Sequence, residues 1–217
     1  MHESYPGVYR DKYGVEQIVI HNDGKALTTT IRGVQFKGTT FDALESVQSL
    51  DVERLGLFRF RKGYLDFYSL ECIMAIPVVT PKEQVEGLLA IRLRTGEVPS
   101  RVILSLELKL GEDSYVSKRR GDYKSGYFED ELLNLQAELP ANTYLKACIN
   151  CAFSDYSPYG TDTYASLACF RDNKEGYRNI RSKYDLFEIW DTMTEFVQET
   201  YLCPEFERRK PGTGYRG

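Results

Sequence analysis

Apolar and polar positions alternate with a period of two through most of the first half of the chain. In RVILSLELKL (101–110), Val102, Leu104, Leu106, Leu108 and Leu110 share one side, the pattern of a strand that covers a core from one face. VEGLLAIRLRTG (85–96) is its expected hairpin partner, and a further β-rich tract spans LFRFRKGYLDFYSLECIMAIPVV (57–79). VEQIVIHNDGKALTTTIRGVQF (15–36) reads as a hairpin turning at Asn22-Asp23-Gly24, because a turn with positive φ favours Asn, Asp and Gly. TTFDALESVQSL (39–50) fits a helical turn or a loop, and its pattern does not decide between them.

After the basic, Gly-bearing loop SKRRGDYKSG (117–126) the period changes. Phe128, Leu132, Leu135 and Leu139 recur at helical spacing until Pro140, which predicts one amphipathic helix. TYLKACINCAF (143–153) and YASLACF (164–170) read as strands around a polar loop. In KYDLFEIWDTMTEFV (183–197), Leu186, Ile189, Trp190, Met193 and Val197 form a helical apolar stripe, most simply a core face. The fold class expected is α+β, mostly antiparallel sheet with a few amphipathic helices concentrated in the C-terminal half. We expect a single domain over 1–217; the loop at 117–126 is the one candidate boundary, between a β-rich subdomain (1–118) and a mixed one (126–217).

Composition narrows the function classes. MHESYPGVYRDKYG has no basic or apolar leader pattern and is read as a flexible start, and the apolar run CIMAIPVV (72–79) is too short to span a bilayer. The expectation is a soluble, cytoplasmic protein with no membrane partner, whose five cysteines, an odd number, are free thiols. Net charge is −4, so no overall basic field attracts nucleic acid. The sign is unevenly spread: residues 126–205 hold six basic against fourteen acidic side chains, whereas Arg208, Arg209, Lys210 and Arg216 face only Glu207 in the tail.

Familiar catalytic patterns are missing. GTGYRG (212–217) matches G-x-G-x-x-G as a string, but no helix can follow it within this sequence, and there is no P-loop, nucleophile elbow or H-E-x-x-H pair. The two histidines, His2 and His21, lie in the start and beside the first turn. A hydrolase would have to use carboxylates such as Asp155, Glu199 or Glu205, with Arg171 nearby, and the sequence does not bring them together.

Two features invite a site. Cys148 and Cys151 form a Cys-x-x-Cys that, with Cys169 and Cys203, supplies the four thiolates of a tetrahedral zinc. The spacing lacks a second close pair, and a strand would place Cys148 and Cys151 on opposite faces, so metal binding requires a knuckle at Ile149 and Asn150. Buried inert thiols are the competing reading, in which case no cofactor is needed. The loop SDYSPYGTDTY (154–164) gathers Asp155, Tyr156, Tyr159, Asp162 and Tyr164, residue types suited to a protein contact, with a self-packed turn as the alternative.

CINCAFSDYSPYG, ACFRDNKEGYRNIRSKYD and VQETYLCPEFERRKPGTGYRG together resemble the C-terminal signature of a bacterial family of unknown function, and NDGKALTTTIRGVQFKGTTFDALE resembles its N-terminal part. Proteins of this size and type resemble the immunity proteins encoded beside bacterial polymorphic toxins. That resemblance implies an immunity-type binding protein of a toxin system; the acidic stretch 126–205 and the Tyr/Asp loop would cover a basic partner, and the hydrolase reading stands beside it.

Overall fold

The computed structural model describes residues 2–96, 102–118, 126–160 and 162–215. Its β-rich half begins earlier than expected: β1 (Glu3–Asp11) and β2 (Gly14–Asn22) form a hairpin in which Asp11 lies opposite Gly14. The start read as flexible is an interior strand, because Tyr5 and Tyr9 turn into the core from one face. Each phenol finds an acceptor two residues away on its own strand, Tyr5 donating to Glu3 (2.5 Å) and Tyr9 to Asp11 (3.0 Å). Burying a Tyr requires such a partner, and Pro6 and Gly7 hide the alternation from a reading by hydropathy.

The tract 15–36 holds three strands instead of two. β2 meets β3 (Leu27–Ile31) over only two pairs, His21 with Thr28 and Asn22 with Leu27. The tighter hairpin joins β3 to β4 (Val34–Gly38), where Arg32 and Gly33 both take positive φ, 50° and 72°, as a primed two-residue turn demands. A short strand β5 (Glu45–Ser46) and one helical turn α1 (Val52–Leu55) follow. Next come β6 (Phe60–Arg61), β7 (Tyr64–Leu65), β8 (Ser69–Val79), β9 (Gln84–Arg94), β10 (Ile103–Leu110) and β11 (Asp113–Val116).

Among the described residues these strands form one antiparallel sheet in the order β11-β10-β9-β8-β1-β2-β3-β4-β5-β7-β6, and β12 (Tyr144–Leu145) pairs with the far end of β8. Strand β9 pairs β10 as the alternation predicts, and Leu104, Leu106 and Leu108 are fully buried. The helix α2 (Phe128–Glu138) lays Phe128, Leu132 and Leu135 against this face, with Glu129, Asp130 and Glu131 at the positive end of its dipole. Most of the loop proposed as a boundary, residues 119–125, lies outside the described residues.

The C-terminal half departs most from expectation. TYLKACINCAF is not a strand: after β12 the chain closes a 3₁₀ turn at Cys148–Asn150. A second antiparallel sheet joins β13 (Ser154–Tyr156), β14 (Leu167–Cys169) and β15 (Glu195–Val197). Between β14 and β15 lie two short helices, α3 (Lys174–Arg178) and α4 (Lys183–Glu188), and a 3₁₀ turn at Trp190–Thr192. The long helix predicted over 183–197 therefore breaks after one and a half turns. Thr192 turns its hydroxyl onto the Ile189 carbonyl (2.7 Å), and the Thr194 N–H bonds to the Cys169 carbonyl (2.8 Å), which draws the chain into the second sheet.

Two contacts seat the second sheet on the first. The rings of Phe41, Phe128 and Tyr164 form a triangle with centroids 4.7–5.3 Å apart. Asn22 and Gln198, 176 residues apart, exchange reciprocal amide hydrogen bonds (2.7 and 2.9 Å) in a buried network that includes Tyr5 and Tyr164. Buried amides of this kind are stable only when fully paired, so they fix one docking of the two sheets.

Candidate functional site

The five residues of the 154–164 loop do not share a surface. Asp155 and Tyr164 are both 0% exposed, Tyr156 is half-buried against the main core, and Asp162 and Tyr159 are exposed. On β13, Asp155 points into the smaller core, where it accepts from the Tyr177 hydroxyl (2.6 Å) and the Tyr215 N–H (3.0 Å). Tyr164 belongs to the aromatic triangle and exchanges a hydrogen bond with Thr200 (2.6 Å). Both are internal anchors and do not reach a contact surface.

Tyr159 is different. It is 71% exposed, yet its ring meets Phe187 and Trp190 edge-on, at centroid distances of 5.1 and 5.4 Å. Trp190 also touches Phe170 below and Phe196 beside it, each at 6.1 Å, and Phe196 is 50% exposed. The ridge is built by local sequence. Ser182 and Asp185 form a capping box that starts α4, Leu186 pins the helix into the core, and Phe187 is left facing outward. Tyr184, on the same helix, is 80% exposed. Glu188 and Asp191 are exposed nearby in sequence, and Lys183 lies over the Phe187 ring (5.5 Å). The helical-stripe reading placed Trp190 inside and passed over Tyr184, Phe187 and Phe196. The signal available was that these aromatic residues fall out of phase with the stripe.

The carboxylates considered for hydrolysis do not converge. Asp155 is held as described, and Glu205 is exposed and paired with Lys174 (2.5 Å), which lowers its pKa. Glu199 is fully buried. It accepts the N–H of Ala165 (2.8 Å) and of Ser166 (3.1 Å), holding Ala165 at a φ of 61°. Burial pushes Glu199 up to about 6, with those N–H bonds offsetting part of the effect. Arg171 is committed to Glu195 (2.5 Å). His21 is exposed and bonded to Ser4 (2.9 Å).

The thiols are neighbours without forming a cage. The knuckle that metal binding requires is present, with Cys151 N–H closing on the Cys148 carbonyl (3.0 Å) and the Ser154 hydroxyl bonding the same carbonyl. All five cysteines are buried and free. Burial raises the Cys148 thiol far above its usual range, with Cys151, Cys203 and Cys169 adding to the effect, and Cys72 is pushed up to about 12. Among the described residues no three Cys, His, Asp or Glu side chains stand together as an ion would require.

The sequence model of a family described as "Family of unknown function (DUF6304)" matches residues 3–154, more than half of the chain. The match includes NDGKALTTTIRGVQFKGTTFDALE and stops inside CINCAFSDYSPYG, before the aromatic ridge and before the later segments on which the resemblance also rested. The family's description names no activity, and nothing in it points to immunity proteins. No curated protein and no solved structure matches the chain.

Proposed function

We propose that this chain, which belongs to the DUF6304 family, is a protein-binding protein that covers a basic partner with the ridge Tyr159–Phe187–Trp190–Phe196. The observation that carries the reading is Tyr159, mostly exposed but held edge-on by two other rings. Rings already fixed by one another lose little freedom on binding, and exposed aromatic area gains most when a partner excludes water from it. Exposed Glu188 and Asp191, within the acidic stretch 126–205, favour a partner of positive sign. A bacterial toxin domain neutralised by this protein is the specific form of the proposal; its support is the resemblance of size and type, together with this surface.

The test is capture of partners from the source cell's lysate on immobilised protein, in parallel with the Tyr159→Ala/Phe196→Ala variant, followed by mass spectrometry and reconstitution with the purified partner. A basic protein retained by the wild type and lost by the variant supports the reading. Retention that is indifferent to the variant overturns it.

A further inference from the structure

We propose that the cleft between α2, the Cys148–Asn150 turn and the segment 208–211 binds a phosphomonoester of a hydroxylated small molecule. The open cleft has a volume of about 560 Å³, within the range of small-molecule sites, and no acidic side chain lines it among the described residues, although the chain as a whole is acidic.

Sign separation along the tail creates this site. Glu205 and Glu207 pair with Lys174 (2.5 Å) and Arg178 (3.1 Å) of α3. Arg208 and Lys210, cations that follow them in the chain and line the cleft, have no carboxylate partner among the described residues. Their backbone is stapled in place: Cys151 bridges Arg208 as an isolated β-pair, Ala152 N–H bonds the Glu207 carbonyl (2.6 Å), and Arg209 N–H bonds the Asn150 carbonyl (2.9 Å).

The groups presented suit a phosphate and a hydroxyl. The Arg208 guanidinium stands 4.1 Å over the Tyr144 ring, which holds its planar fork in one orientation before any ligand arrives. Lys210 adds a mobile point charge, and together the two match a dianion better than a single carboxylate. Asn150, also in the wall, donates both amide hydrogens, to Gln136 Oε1 (3.0 Å) and the Leu145 carbonyl (2.9 Å). Its Oδ1 is left with no donor among the described residues, an acceptor for a ligand hydroxyl. Arg209 is used differently: its terminal nitrogens hold the Thr213 and Ser154 carbonyls and the Tyr177 hydroxyl, so it fixes the wall.

Isothermal titration at physiological ionic strength tests the proposal, with ribose 5-phosphate, inorganic phosphate, ribose and citrate as separate probes. Ribose 5-phosphate is expected to bind, inorganic phosphate more weakly, and ribose not at all. Arg208→Ala should weaken binding by at least about tenfold and Lys210→Ala by several-fold, with Arg208→Lys intermediate. If Arg208→Ala fails to fold, Lys210→Ala decides, since Lys210 is exposed and its side chain makes no hydrogen bond or ion pair among the described residues. No binding of ribose 5-phosphate, binding unchanged in Lys210→Ala, or citrate bound as tightly as the phosphate would each overturn the assignment.

Discussion

The hydroxyl of Tyr177, on α3, donates to the buried carboxylate of Asp155, on β13, at 2.6 Å, and the same phenol accepts from Arg209 at 3.0 Å. The C-terminal segment is thus tied to the smaller core through one carboxylate, which also receives the Tyr215 N–H. Asp155→Ala should cost about 1–3 kcal/mol, the penalty of leaving the buried donors that it meets without their acceptor, measured by urea unfolding. It should also raise hydrogen exchange at residues 209–215. Gly214→Ala should loosen the same anchor, because a Cβ there would stand 2.4 Å from the Tyr177 hydroxyl on a backbone with φ of 75°. An Asp155→Ala protein of wild-type stability would exclude the anchoring role.

Tyr159→Ala should leave the fold nearly intact, losing about 0.5–1.5 kcal/mol of ring contact, while speeding dissociation of the partner by an amount worth about 1–2 kcal/mol. Trp190→Ala should impair both fold and binding, since Trp190 supports Tyr159, Phe196 and Phe170 together. Surface plasmon resonance beside thermal unfolding separates the two effects. Equal losses of stability from both variants would contradict the ridge geometry.

Charge reversal at exposed Glu188 and Asp191 should act on the other rate constant. Lysine at both positions is expected to slow association and flatten its dependence on salt, with dissociation little altered. Association that proves independent of ionic strength in the wild type would remove electrostatic steering from the account.

Glu199 gives a pH dependence of definite sign. Its folded pKa of about 6 exceeds the usual 4.5, so the neutral carboxyl favours the fold. That stabilisation is complete below the unfolded value and is lost as pH rises through about 6, amounting to about 2 kcal/mol. The stability difference between wild type and Glu199→Gln should therefore shift by this amount, against the wild type, between about pH 3 and about pH 7.5. A difference that stays constant over that range would show that Glu199 titrates normally.

The thiols should be silent in the native state. All five are buried, and their neutral form is favoured by desolvation at Cys72, Cys148 and Cys169. Reagent added to native protein should react slowly, and unfolding without reductant should release all five thiols. A zinc ion retained through dialysis, with loss of stability on chelation, would require Cys148, Cys151, Cys169 and Cys203 to rearrange into a cage.

The alternation of Leu104, Leu106 and Leu108 and the helical spacing of Phe128, Leu132 and Leu135 determined, from sequence alone, an antiparallel sheet with a helix against one face. Those elements are legible because each obeys one period over enough residues for burial of its apolar side to dominate. Where the chain is short of such runs, tertiary contacts decided. Tyr5 and Tyr9 became core residues because Glu3 and Asp11 satisfy their hydroxyls. The stripe over 183–197 broke because the Cys169 carbonyl captures the Thr194 N–H. Asp155 and Tyr164 turned inward while Tyr159 stayed out, since packing against Tyr177 and Phe128 distinguishes residues that a polar, tyrosine-rich loop presents as equals. The ridge and the basic cleft are likewise assembled from segments distant in the chain, so local periodicity carries no trace of their meeting, and only the docking of the two sheets and the return of the tail create them.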